Sequence, residues 1–240
     1  MMTAPGRWGS FPDGTLLPGS TRCRISTRTT EASGSTAIRP RLFGACAERS
    51  VPFGVAPRLV TSDELIDRLT VLFRQVGYEA ASLVDIAAAT GLQKSSIYHR
   101  FAGGKEQMAK EVAEASARRF AADVLGPLRS DAPLEQRVGE VARRLDAFYE
   151  SGARSCLLDT LSLGEPGAGT TDALAVAAAA WIRAFAAVAR EAGATTTEAK
   201  DRAQQAVAEI EGALVLARVT GDKRPFARAL KRLPTTLLAH

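Results

Sequence analysis

The sequence predicts an all-α protein, in which a three-helix unit carrying a helix-turn-helix is followed by a larger helical bundle. Three observations lead there. From Thr61 onward apolar residues recur at three- and four-residue spacing, the period of one helix face, and no segment alternates apolar and polar residues over the length of a strand. Thr61 with Glu64 and Thr195 with Glu198 have the Thr-x-x-Glu spacing of a capping box, where hydroxyl and carboxylate satisfy each other's free backbone amides. Two short helical segments meet at Thr90-Gly91, a turn containing glycine, which accepts positive φ.

The elements follow in order. Leu65, Ile66, Leu69, Leu72, Phe73 and Val76 form one stripe after the Thr61 cap, and Gly77 ends that helix. Ser82 is placed to cap a short second helix through Leu83, Ile86, Ala87 and Ala88, closed at Thr90-Gly91. A third helix is predicted over about 94–101 and a fourth from about 103 to 125. Pro133 suits a first helical turn, and Leu134, Val138, Val141, Leu145 and Phe148 then repeat until Gly152. A short apolar segment at 156–163 precedes helices at about 172–192 and 196–219, and Gly221 and Pro225 set off a short final helix.

Residues 1–58 differ in texture. Twenty-six of them are Gly, Pro, Ser or Thr, and their apolar residues have neither helical nor strand period, so disorder is expected. Eight arginines against three acidic residues place the whole net charge of +5 in this extension, leaving residues 59–240 with 23 basic and 23 acidic side chains. The extension reads either as an Arg-rich arm or as a dispensable tail. No run of apolar residues approaches the roughly 18 that a membrane span requires, and the amino terminus has no signal-like pattern. Cys23, Cys46 and Cys156 are odd in number and lack ligand spacing, which fits free thiols in the cytoplasm. The expected organisation is an extension (1–58), a helix-turn-helix domain (59–108) and a second helical domain (109–240).

The helix after Gly91 carries chemistry suited to DNA. Ile86, Ala87, Leu92 and Ile97 are placed to pin the two helices together, which leaves Gln93, Lys94, Ser95, Ser96, Tyr98 and His99 outward. Between Ile86 and Lys105 there is no acidic side chain, while Lys94, Arg100 and Lys105 are basic. Such groups reach base edges and neutralise phosphates.

In order along the chain, Leu72-Phe73, Gly77-Tyr78, Asp85-Ile86-Ala87, Gly91, Ile97-Tyr98-His99-Arg100-Phe101 and Lys105-Glu106 resemble the DNA-binding domain of the TetR family of repressors. The resemblance implies a three-helix DNA-binding domain, a larger ligand-binding domain, and homodimers on palindromic operators released by a small molecule. It assigns Ser82 to capping the second helix and touching phosphate, Lys94, Ser95, Ser96, Tyr98 and His99 to the DNA face, and Lys105 to phosphate at the start of the fourth helix. Gln93, where the family usually has a small residue, and Ser95, where glycine is common, bear on which bases are read. Ser155-Cys156-Leu157-Leu158 and Glu211 to Arg218 resemble the branch that includes lincomycin-resistance and flavonoid-responsive repressors; that branch implies dimerisation through the helices at about 172–192 and 196–219.

For an effector, Phe148, Cys156, Trp181 and Phe185 are the candidate pocket residues, though the helical spacing of Phe148, Trp181 and Phe185 suits plain core or interface packing at least as well, and Cys156 reads as a small buried apolar residue rather than a redox sensor because no neighbouring cysteine could resolve it. Few charged residues fall on the inward stripes, so the expected ligand is small and apolar or aromatic. No phosphate loop, nucleophile elbow or metal-ligand grouping is found, which argues against an enzyme and against a metal or cofactor. Transcriptional activation by the same fold, or a helical protein-interaction module, remain alternative readings.

Overall fold

The computed structural model describes residues 60–239, and the expectations for residues 1–58 lie outside them. The described chain is all-α: nine α-helices with two short 3-10 turns and no strand among the described residues. They are α1 (Ser62–Ala80), α2 (Leu83–Thr90), α3 (Lys94–Arg100), α4 (Gly104–Asp123), α5 (Leu134–Phe148), α6 (Leu157–Ser162), α7 (Ala168–Glu191), α8 (Thr196–Thr220) and α9 (Arg224–Leu238).

The local signals explain the boundaries. Thr61 Oγ1 accepts from the Glu64 amide at 3.2 Å and opens α1. Gly77 takes φ +76°, so the regular helix ends there and a short non-helical step delivers Tyr78 into the core. The Thr195–Glu198 box opens α8 as its spacing predicts, with the Thr195 amide donating to Glu198 Oε2 at 2.8 Å. Two boundaries differ from expectation. Helix α7 starts at Ala168, ahead of the 172 expected, because Gly167 at φ +86° turns the chain into it. Helix α9 is longer than a short closing helix: it runs 15 residues and continues through Pro234, although proline there gives up a backbone donor, because Phe226, Leu230, Leu233 and Leu237 keep one face buried.

Two apolar clusters organise the fold. The first gathers Leu65, Leu69, Phe73, Tyr78, Ile86, Ile97, Phe101, Met108 and Val112 from α1 to α4, closed by Leu157 and Leu161 of α6 and Leu174 of α7. The second joins α5, α7, α8 and α9 around Val141, Leu145, Tyr149, Trp181, Phe185, Ile210, Leu214, Phe226 and Leu233. Helix α4 spans both: its first turns bury Met108 and Ala109 in the first cluster, and Phe120 packs on the second.

The expectation that no segment approaches a membrane span is corrected for α7. By length and composition it is apolar enough to cross a bilayer, with a window of mean hydropathy 1.6. The reason is alanine, which raises mean hydropathy without forming a run of large apolar residues. Only 28% of that window is buried within the chain, while Trp181, Phe185 and Val188 pack into the second cluster.

Candidate functional site

Helices α2 and α3 meet through the turn at Gly91. Gly91 sits at φ +72°, ψ 12°, and its amide closes α2 by donating to the Ala87 carbonyl at 2.9 Å. A side chain at this backbone angle is strained. Thr90, 1% exposed, donates to the Ile86 carbonyl at 2.6 Å and accepts from the Leu92 amide at 3.3 Å, stitching both sides of the turn. Ile86 and Ile97 are fully buried in the same apolar cluster, and burial of each side chain stabilises the pair by about 1.5–3 kcal/mol. Ala87 and Leu92 pack at its edge.

With Ile97 turned inward, the opposite face of α3 is solvent-facing. Gln93, Lys94, Ser95, Ser96, Tyr98 and His99 are all exposed, Tyr98 at 50%, whereas Phe101 is buried. Gln93 occupies the N-cap position without a side-chain cap bond, so its amide is uncommitted there. Ser82 caps α2 as its position predicts: its hydroxyl accepts from the Asp85 amide at 3.1 Å and donates to Asp85 Oδ2 at 2.6 Å. The side-chain and backbone hydrogen bonds from Ser82 hold the Asp85 carboxyl below its usual value.

The three basic groups of this segment stand differently. Lys94 makes no hydrogen bond or ion pair among the described residues and is exposed. Arg100 is paired with Glu111 of α4, at 2.8 and 3.3 Å, and lies over the Phe101 ring. Lys105 is in the first turn of α4, as expected, but its ammonium donates to the Tyr78 and Glu79 carbonyls at 3.0 and 3.3 Å and lies over the Tyr78 ring. It therefore ties α4 to the end of α1. Reading along the chain also missed Arg68, which caps α2 from α1 by donating to the Thr90 carbonyl at 2.7 Å while paired with Glu64. Both ties join residues more than ten positions apart, beyond the reach of periodicity.

A second feature lies farther along α4. A cavity of ≈ 260 Å³ opens between α1, α4, α6 and α7. Phe148, Cys156 and Trp181 line it, as their selection anticipates. Phe185 does not: it is fully buried in the second cluster, packed edge-on to Trp181 with ring centres 6.0 Å apart. It lies one helical turn farther along the same face of α7, beyond the opening, so its part is to back Trp181. Phe120, Tyr149 and Arg74, absent from the sequence selection, complete the walls, with Phe120 4.7 Å from Trp181 and 5.3 Å from Phe148 between ring centres. Phe120 carried a usable signal, an aromatic on α4 a few turns beyond the helix-turn-helix. The Tyr149 hydroxyl donates to Cys156 Sγ at 3.3 Å, and burial pushes the Cys156 thiol up to about 12.

Comparisons with known proteins agree with this geometry. The family model described as bacterial regulatory proteins, tetR family, matches residues 65–112, and that of the transcriptional regulator LmrA/YxaF-like C-terminal domain matches residues 134–232. No curated protein sequence matches the chain. Among solved structures, a TetR transcriptional regulator from Legionella pneumophila is 22% identical, with a TM-score of 0.66 over 75% of this chain and 99% of that one. NemR from E. coli, in its reduced form, is 18% identical, with a TM-score of 0.61 over 73% and 96%. The TetR family regulator CifR, solved as a cysteine mutant with a 26 bp double-strand operator, is 25% identical, with a TM-score of 0.62 over 75% and 100%. With its helix-turn-helix and its carboxy-terminal helices each matched in chain order, the chain belongs to the TetR family of bacterial transcriptional regulators and carries that family's DNA-binding fold.

Proposed function

We propose that the protein is a cytoplasmic homodimeric repressor that grips a palindromic operator with α3 and lets go when a small molecule fills the α4 cavity. The observation that carries this reading is the continuity of α4. One unbroken helix has Met108 and Ala109 in the helix-turn-helix core, while its Ala113, Ser116, Ala117 and Phe120 line the cavity. From Lys105 to Phe120 it spans about 22 Å at 1.5 Å per residue. A ligand that displaces Phe120 therefore moves the lever that Lys105 and the Arg100–Glu111 pair fasten to α1 and α3.

On the duplex, Gln93, Lys94, Ser95 and Ser96 at the start of α3 would meet base edges and nearby phosphates, with Tyr98, His99 and the capped end of α2 at Ser82 on the backbone. Lys105 acts in this reading by positioning α4. Helices α7 and α8 supply the dimer face: α7 is only partly covered within one chain, and Val176, Leu216 and Val219 are large apolar side chains left exposed on the pair. Packed against a second copy they would form a four-helix bundle. Two recognition helices then fall about 34–36 Å apart, one turn of DNA. Ligand and operator oppose each other reciprocally, since each binds the conformation the other disfavours.

The test is a light-scattering mass and an operator titration on the purified chain, using duplexes selected from a random pool. The expected mass is twice 25.4 kDa, and Tyr98→Ala is expected to abolish operator binding while keeping that mass. A monomer that binds no duplex at low salt, or full affinity in Tyr98→Ala, would refute the proposal. A promoter reporter then separates repression from activation.

A further inference from the structure

The cavity is apolar on nearly every side, yet Arg74 of α1 stands in its wall. Its Nε and Nη1 are buried and have no hydrogen-bond partner. Its guanidinium lies 5.2 Å from the centre of the Phe148 ring, which offsets part of the lost hydration and supplies no counter-charge. Burial lowers its pKa, and among the groups that act on it Glu150 is the carboxylate; that side chain is already paired with Arg154. Trp181, also a residue of the wall, has its indole N–H buried without a partner.

These two orphans share a polarity. Guanidinium and indole nitrogens donate hydrogen bonds and accept none. The orphan acceptor of this region, Glu211 Oε1, is not part of the wall. A cavity walled by a half-buried cation that has no carboxylate partner is complementary to acceptors and negative charge. A neutral apolar occupant would strip water from Arg74 and leave it unpaired. The volume, just under the roughly 300–1,000 Å³ of pockets for drug-sized ligands, suits a one- or two-ring body.

We infer that the cavity takes a small aromatic anion, a carboxylate or phenolate, with its charged oxygens on Arg74 and its rings against Phe120, Phe148 and Trp181. This deepens the effector reading and rests on it only for the consequence at DNA. The expectation of an apolar or aromatic ligand is thereby narrowed: aromatic in body, anionic at one end.

The test is calorimetric titration of the full chain with benzoate, cinnamate, 1-naphthoate and 2-naphthoate, each paired with its neutral carboxamide. At least one acid is expected to bind tenfold or more tightly than its amide. That preference is expected to vanish in Arg74→Met, to persist in Arg74→Lys, and to persist in Arg118→Met, which removes the exposed arginine at the same cavity. A higher melting temperature for Arg74→Met without ligand would mark the loss of an unpaired buried cation and show that the variant folds. Equal binding of acid and amide, no binding of any acid, or a preference that survives Arg74→Met would overturn the proposal. Operator release is measured separately. A bound acid that leaves DNA in place sinks the release mechanism and spares the anion site, whereas an amide that binds and releases DNA as well as its acid does the reverse.

Discussion

Removing one side chain, Lys94, should change how steeply DNA binding depends on salt. Of the three basic groups in the acid-free segment, Arg100 is held by Glu111 and Lys105 by two carbonyls of α1, which leaves Lys94 able to meet a phosphate without first giving up a partner. Each phosphate contact contributes about 0.9 to the slope of log affinity against log salt, so a dimer presenting Lys94 twice should lose about 1.8 from that slope in Lys94→Ala. Between roughly 50 and 200 mM salt the variant's affinity would then fall about tenfold less than that of the unaltered protein. The measurement is fluorescence anisotropy on a labelled duplex at several salt concentrations, and it works on non-specific DNA because the phosphate contribution ignores sequence. A loss of about 0.9 would mean that one copy engages phosphate. An unchanged slope would refute the assignment of Lys94 to the backbone and return the electrostatic role to Arg100, which would have to break from Glu111.

Three further outcomes are expected. Ile97→Ala removes a fully buried side chain that holds α3 against α1 and α2, and should cost about 2–5 kcal/mol in a urea denaturation measurement, with DNA binding lost alongside. Glu211 is held up to about 7 by burial, with the neighbouring Cys156 acting the other way. The folded chain therefore keeps that proton where the unfolded chain releases it near the ordinary value of 4.5, so stability should decline as pH rises between those values, by about 3 kcal/mol, and level off above. Denaturation curves across that range should lose the decline in Glu211→Gln; a decline of equal size in the variant would assign it to another group. Cys156 should resist iodoacetamide in the folded protein and react on unfolding, because its buried thiol is pushed up to about 12. Alkylation of the Cys156 peptide under native conditions, followed by mass spectrometry, would contradict this if it went to completion.

Much of the architecture was legible because it rests on local chemistry. Ser82 and Thr195 cap helices in boxes with carboxylates three residues on, Thr61 caps through its hydroxyl alone while Glu64 pairs with Arg68, and Gly77, Gly91 and Gly221 stop helices in left-handed backbone. The face of α3 could be read the same way, since once Ile97 points inward the helical period places Ser95 and His99 on the opposite side and Ser96 and Tyr98 on its flanks. The cavity was legible only in part. Phe148 and Trp181 stand out as apolar residues at helical spacing and Cys156 as a small apolar one, but the same spacing selects Phe185, which backs the wall, and passes over Phe120, Tyr149 and Arg74.

What the sequence determined by itself is the set of helices, their caps and their apolar faces, because backbone angles and i to i+4 neighbours are settled within a few residues. Only the tertiary structure decided which charges remain available and where a void opens. Arg100 meets Glu111, Lys105 reaches back to Tyr78, and Arg74 finds an aromatic ring but no hydrogen-bond or ionic partner among the described residues, each through packing between segments distant in the chain. A side chain's partner depends on how whole helices cross, and no window of residues along the chain contains that information.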